Sequence, residues 1–251
     1  MNTQKSRIEQ LKLNGYKLNF ETSITQIFEN YRKIALYAGL SLFVFGIILI
    51  TLIYGGLLSY FGIETITEMT KPENLRPENL SKEFLMWYTI FAILFTSFVS
   101  PFSAGFIKMA YCADRDEEFR LSAIFTYYSS SKFFTLFTAT LIISLTNTGL
   151  ATIAEQLGNG AAGSVASLFI SFYTILTVPL IIFGDLGVFS AIQTSVALIA
   201  KQPLLILGLL LISLIATLLG LMFIIVGILF TMPFIYSFYY ILYKNIVGFE
   251  E

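Results

Sequence analysis

From Pro203 to Tyr243 the chain carries no charged residue. A stretch that apolar has no water-facing side to offer a soluble fold. About twenty apolar residues cross the hydrocarbon of a bilayer as a helix, so this stretch is too long for one crossing and right for two, with a tight turn expected near Gly220. Four further apolar runs precede it, from about Ile34 to Tyr60, Phe84 to Tyr111, Phe133 to Ala154 and Ser164 to Phe183. Only 12% of the residues are charged, against about 25% in soluble domains, and the mean hydropathy is +0.78. The reading is an all-α, polytopic membrane bundle of six transmembrane helices.

Polar flanks set the orientation. Lys5, Arg7, Lys12, Lys17, Arg32 and Lys33 precede the first run; Lys108, Arg115, Arg120 and Lys132 flank the second connection; Lys201 and Lys244 fall on the same side. Only Lys71, Arg76 and Lys82 fall on the other. Twelve against three puts both termini in the cytoplasm, because Lys and Arg are retained there, and the compartment expected is a bacterial cytoplasmic (inner) membrane. Trp87 and Tyr88 are then expected at the outer interface, and Tyr236, Tyr239, Tyr240 and Tyr243 toward the inner one. The first thirty residues have no signal-peptide core. Residues 1–22 read as a cytoplasmic tail, 23–251 as one membrane domain, and about 62–83 as an outer loop.

An internal repeat underlies the runs. Ile24, Ile27, Phe28 and Tyr31 share one helical face before the first, with Ser23 and Gln26 as a capping box. Leu121, Ile124, Phe125 and Tyr128 repeat that spacing before the third run, and Phe189, Ile192, Gln193 and Val196 before the fifth. Pro101, Pro179 and Pro233 lie in the even-numbered runs, where each frees a carbonyl and kinks its helix. The unit is an amphipathic helix, a span, an outer turn and a kinked returning span, at about 23–115, 116–186 and 187–248. The amphipathic helices either lie flat on the inner surface or extend the spans into the cytoplasm.

The proline-containing even helices, the segment Asp185-Leu186-Gly187-Val188-Phe189-Ser190-Ala191 and the lead-in Lys201-Gln202-Pro203 resemble a broad bacterial group of six-helix integral membrane proteins. That group is related to the membrane domain attached to some glycerophosphodiester phosphodiesterases. The resemblance spans about residues 18 to 248, and its members have no agreed catalytic residues to carry over. The strings Asn14-Gly15-Tyr16-Lys17-Leu18-Asn19-Phe20 and Phe28-Glu29-Asn30-Tyr31-Arg32-Lys33-Ile34-Ala35-Leu36-Tyr37-Ala38-Gly39 also resemble flavobacterial members, some of them labelled carotene-cleaving oxygenases. Such enzymes hold iron with several histidines. This chain has no histidine, so the label does not apply.

Individual polar residues narrow the choices. The absence of histidine removes imidazole ligands and the commonest general base. The single cysteine, Cys112, rules out an intrachain disulfide and any CxxC site. No catalytic residue, cofactor or metal site is expected. Lys108 and Asp185 follow Pro101 and Pro179 at similar depth and are candidates for an ion pair or a lipid-headgroup site. Thr138, Thr140, Thr146, Asn147 and Thr148 either hydrogen-bond helices together or line a polar path. Gly39 with Gly46, and Ala216 with Gly220, leave room for close helix contact. Pro72-Glu73-Asn74-Leu75 and Pro77-Glu78-Asn79-Leu80 suggest two turns or a small helix, Gly158-Asn159-Gly160 a second outer turn, and Asp114 to Glu118 a solvated acidic face. A net charge of -1 makes nucleic acid an improbable partner. Membrane lipids are expected partners, with protein subunits a further option. Three functional readings follow: a non-enzymatic scaffold or accessory subunit, a lipid- or amphiphile-handling protein with a groove between repeats, and, weakest, a membrane enzyme using serine or tyrosine.

Overall fold

The computed structural model describes residues 3–74, 76, 79–117 and 121–249, and these contain helices and no strand. Five helical stretches are long and apolar enough to cross a membrane: Phe20–Met69, Lys82–Asp114, Phe133–Gln156, Gly160–Ile182 and Pro203–Met222.

The N-terminal segment forms helix α1 (Thr3–Asn14), then turns at Gly15 into α2 (Phe20–Met69). Expected as a tail, α1 instead docks. Ile8 is 1% exposed and sits in the same core as the spans, together with Leu18. Gln4 donates to the Tyr243 hydroxyl at 2.9 Å, and Tyr16 donates to the Leu198 carbonyl. A sequence rich in charge hides this because a single apolar stripe is enough to seat a short helix on a preformed surface.

Helix α2 is capped by Asn19, whose Oδ1 accepts from Thr22 N at 2.9 Å. Ser23 and Gln26, the expected cap, both accept from Asn245 Nδ2 instead, at 3.0 and 2.8 Å. The first amphipathic stretch therefore runs straight into its span. Its buried face is Ser23, Ile27, Asn30, Ile34 and Ala38. Gly62, at φ 76, breaks the helix near the far end, a conformation open to glycine without a Cβ penalty. Two turns follow: Asn74 N donates to Lys71 O with its side chain on Glu68 O, and Asn79 N donates to Arg76 O with its side chain on Glu73 O. Leu75, Pro77, Glu78, Glu118 and Arg120 lie outside the described residues.

Helix α3 (Lys82–Asp114), capped by Ser81, remains one helix through Pro101. A 3-10 segment (Leu121–Tyr128) returns across it. A Cβ at Gly105 would collide with the Ile124 carbonyl, so only glycine admits this crossing. Helix α4 (Phe133–Gln156) pairs closely with α5 (Gly160–Tyr173), and Gly163 lies against Ala151 and Ala154. After α5 the span is interrupted at Thr174–Leu176 and resumes as α6 (Thr177–Ile182).

Helix α7 (Val188–Ile199) is the third amphipathic stretch, but its buried face is not the expected one. Ala191, Thr194, Ser195, Leu198 and Ile199 face inward, while Phe189, Gln193 and Val196 are exposed and Ile192 is half-buried. The buried face is thus offset by two residues from the one expected from the spacing.

Helix α8 (Pro203–Leu218) begins on Pro203 and ends in a 3-10 turn (Leu219–Phe223) at Gly220. Gly220 is packed against the Gly227 carbonyl and the Thr231 hydroxyl. The stretch expected as a sixth span forms two shorter helices, α9 (Ile224–Thr231) and α10 (Pro233–Ile246), with Pro233 at the first turn of the second. Thr231 Oγ1 donates to the Thr217 carbonyl at 2.6 Å, tying the break to α8.

The core lies at one end of the bundle. Tyr240, Tyr243, Phe106, Phe234, Phe238, Ile27, Ile34, Ile124 and Leu136 are fully buried there. Of the tyrosines expected toward the inner interface, Tyr236, Tyr240 and Tyr243 are buried in this core and Tyr239 packs against it.

Candidate functional site

Two features stand out: a polar lattice at the core end, and a hollow between the spans.

The lattice begins at the end of α3. Asp114 accepts from Tyr240 Oη at 2.7 Å and from Lys244 Nζ at 2.6 Å. Lys33 reaches Asp116 at 2.7 Å and the Ala113 carbonyl at 3.0 Å. The Arg115 guanidinium lies over the Tyr111 and Phe249 rings, 4.8 and 5.5 Å from their centroids. Asp114 is thus a part-buried latch onto α10, while Asp116 pairs with Lys33 of α2 and stays solvent-exposed with Glu117, as expected of an acidic face. Among the described residues, no group of three metal-ligating side chains forms.

Lys108 and Asp185 do not meet. Lys108 stands over the Tyr127 ring at 5.9 Å. Asp185 pairs with Lys132 at 3.2 Å. Lys132 also donates to the Ile181 and Ile182 carbonyls, so one ammonium closes the last turn of α6 and holds the following acid. A cation at a helix C-terminus satisfies carbonyls that have no intrahelical donor. Lys132 precedes α4 in the chain, and only the α4–α6 packing reveals it as the partner.

The hollow encloses about 560 Å³ between α3, α4, the α5–α6 break and α10. Its walls are neutral. Thr96, Ser100, Ser103, Thr140, Ser144, Asn147, Ser171, Thr174, Tyr236 and Tyr239 supply polar groups, and Phe95, Val99, Ile107, Ile143, Ile175, Val178, Pro179 and Ile235 supply apolar surface. Some of the polar groups are already engaged: Thr140 donates to Ser100 Oγ at 2.8 Å, and Asn147 Nδ2 to Ser171 Oγ at 3.2 Å. The Asn147 Oδ1 atom is buried and has no hydrogen-bond partner among the described residues. A second hollow of about 350 Å³ is walled by Ile142, Phe169, Ile170, Tyr173, Ile192 and Val196, and shares Ile143 and Thr174 with the first.

The α5–α6 break shapes this space. Ser195 of α7 donates its hydroxyl to the Tyr173 carbonyl at 2.8 Å and accepts from Leu176 N at 3.0 Å. It replaces the hydrogen bonds that the interrupted helix gives up, which is how backbone irregularity is tolerated at membrane depth. Pro179 follows within α6, Pro101 sits inside an unbroken α3, and Pro233 opens α10. The three prolines thus take three different roles. Of the polar residues singled out in sequence, Thr140 and Asn147 line the hollow, while Thr146 belongs to the neighbouring one. Gly39 meets the Phe230 ring, but Gly46 faces open space. Ser100, Ser103, Ser144 and Ser171 are missed by sequence reasoning; their hydroxyls look like ordinary helix residues until three helices bring them together.

Comparison with protein-family models, with curated proteins and with solved structures finds no match.

Proposed function

We propose that the chain is a membrane-embedded binding protein for a small uncharged amphiphile, taken into the hollow between α3, α4, α5–α6 and α10. The supporting observation is the lining itself: ten neutral polar side chains with an unpartnered amide oxygen at Asn147, in a space of about 560 Å³. Binding sites for small molecules run to about 300–1,000 Å³ and combine apolar walls with a few fixed polar groups. The polar part of the ligand would meet the hydroxyls, and its tail would follow the apolar hollow beyond Ile143 and Thr174. Charged cargo is disfavoured because no lining residue carries a charge to compensate it. The role we infer is binding rather than bond-breaking, since the lining holds neither a carboxylate nor an imidazole.

In this reading α9 and α10 together make a sixth, proline-broken crossing, the three hairpins are pseudo-repeats, and the lysine-rich end faces the cytoplasm of a bacterial inner membrane. The distribution of Lys and Arg supports that orientation. A scaffold or accessory-subunit role is the second reading. It is favoured by the far half of α2, where Ile47, Ile50, Leu52, Ile53, Tyr54 and Tyr60 are all exposed.

The test is native mass spectrometry of the protein purified in mild detergent, comparing the natural chain with Ser144→Phe, which fills the hollow. A neutral amphiphile retained by the natural chain and lost from the variant supports the proposal. An identical bound complement in both, or none in either, contradicts it.

A further inference from the structure

A second site, sharing no residue with the hollow, lies where α1 crosses the start of α7. Here a cleft of about 240 Å³ is bounded by Lys5, Glu9 and Lys12 of α1, and by Gly187, Ser190 and Thr194. Helix α7 starts without a cap. Gly187 stands at the N-cap position and has no side chain to accept from the first turn. A helix begins with backbone N–H groups that have no intrahelical acceptor, and they carry the positive end of its dipole.

Thr194 gives an independent pointer. It is 2% exposed, lines the cleft, and among the described residues has no hydrogen-bond partner. Buried Ser97 and Ser213 turn back onto their own helix, donating to Ile93 O and Leu209 O, and Ser195 bridges to the α5–α6 break. Thr194 makes no such bond, and it lines the cleft on the same side of α7 as Ser190 and the uncapped first turn. Two ammonium groups border the cleft, and its one carboxylate, Glu9, is held by Lys12 at 2.8 Å. Asp185, just upstream, is engaged by Lys132. The unmet groups are therefore donors beside net positive charge, the pattern that holds a phosphate at a helix start.

We propose that the cleft between α1 and the N-terminus of α7 binds a phosphate group, held by the first-turn N–H groups of α7, the Ser190 and Thr194 hydroxyls, and Lys5. A lipid phosphodiester and a free phosphate share this chemistry. Phe189, next to the site, is exposed and apolar, as a residue touching acyl chains would be.

The discriminating variant is Gly187→Asp. A Cβ at this position meets nothing within 4 Å, and aspartate is a preferred N-cap, so the helix should be kept while a built-in carboxylate occupies the anion position. The full chain would be titrated with inorganic phosphate against chloride at matched ionic strength, following thermal unfolding. In parallel, nanodiscs of phosphatidylcholine with and without phosphatidylglycerol would be compared by native mass spectrometry for retained lipid. We expect at least a tenfold loss of phosphate-dependent binding in Gly187→Asp, with unfolding temperature held or raised, and a several-fold loss in Thr194→Val. Binding of phosphatidylglycerol alone identifies a headgroup site, binding of inorganic phosphate identifies a soluble ligand, and either result supports the proposal when the aspartate variant abolishes it. Undiminished binding in Gly187→Asp, or no binding of either probe to the natural chain, overturns it.

Discussion

The two ends of this bundle are built by different rules, and helix α3 passes through both. At its C-terminal half, Phe102, Phe106, Ile107, Met109 and Ala110 are buried, ring packs on ring, and charged groups latch one helix to another. At its N-terminal half, Phe84, Trp87, Tyr88 and Phe91 are exposed. The same contrast holds in α2, which buries one face along Ser23–Gly39 and is open over most of its length beyond, Ile66 excepted. One end is packed as a soluble protein is, with side chains interlocked and polar groups paired. The other leaves α2 and the start of α3 with exposed apolar faces, while α4 meets α5 and α8 meets α9 in pairs. Such faces are stable only where lipid covers them, because hydrocarbon gives apolar helices no reason to collapse together. The hollow opens between these regimes, where packing gives way before the helices separate.

Exchanging like for like at the two ends sharpens the comparison. Phe106→Ala should cost about 3–5 kcal/mol, the range for emptying a buried aromatic site. Phe91→Ala, 59% exposed on the same helix, should stay within about 0.5 kcal/mol. Unfolding in mild detergent reads both, and equal costs would break the distinction.

Glycines give the next test. Gly105→Ala should destabilise by about 2–3 kcal/mol, because its methyl would meet the Ile124 backbone, which cannot move aside as a side chain can. Gly55→Ala meets nothing and should be neutral or stabilising by about 0.5–1 kcal/mol. Thermal midpoints of the pair should therefore move in opposite directions or differ clearly.

Charge pairs give the smallest difference. Asp114→Asn weakens the bonds from Lys244 and Tyr240, and charge-assisted bonds contribute about 1.5–3 kcal/mol. Glu68→Gln at the far end loses an exposed pair with Lys71, expected at under about 1 kcal/mol. Raising salt should narrow the second loss and leave most of the first.

Sequence reveals the open end better than the packed one. Long apolar runs are legible because a charge-free run such as Pro203–Tyr243 has few other uses, and five helices meet that standard. The interruption at Met232 is only half legible: Pro233 marks it, yet proline also sits inside an unbroken α3 at Pro101. What decides is whether a neighbour supplies the lost bonds, as Thr231 does through the Thr217 carbonyl. The Lys132–Asp185 pair and the seating of Ile8 depend on which helices meet, and no local pattern around Lys132 or Ile8 encodes that. The hollow is least legible. Thr140 and Asn147 are visible as polar residues within a span, but Ser100, Ser144 and Ser171 acquire meaning only by facing one another.

The account rests on the packed, lysine-rich end and the open end lying on opposite sides of a bilayer. Single thiols at positions 17 and 73, introduced as Lys17→Cys and Glu73→Cys in a Cys112→Ser background, test this most directly with a membrane-impermeant maleimide on bacterial spheroplasts. The account predicts that position 73 reacts in intact spheroplasts and position 17 only after permeabilisation. Reaction of both from the same side would contradict it.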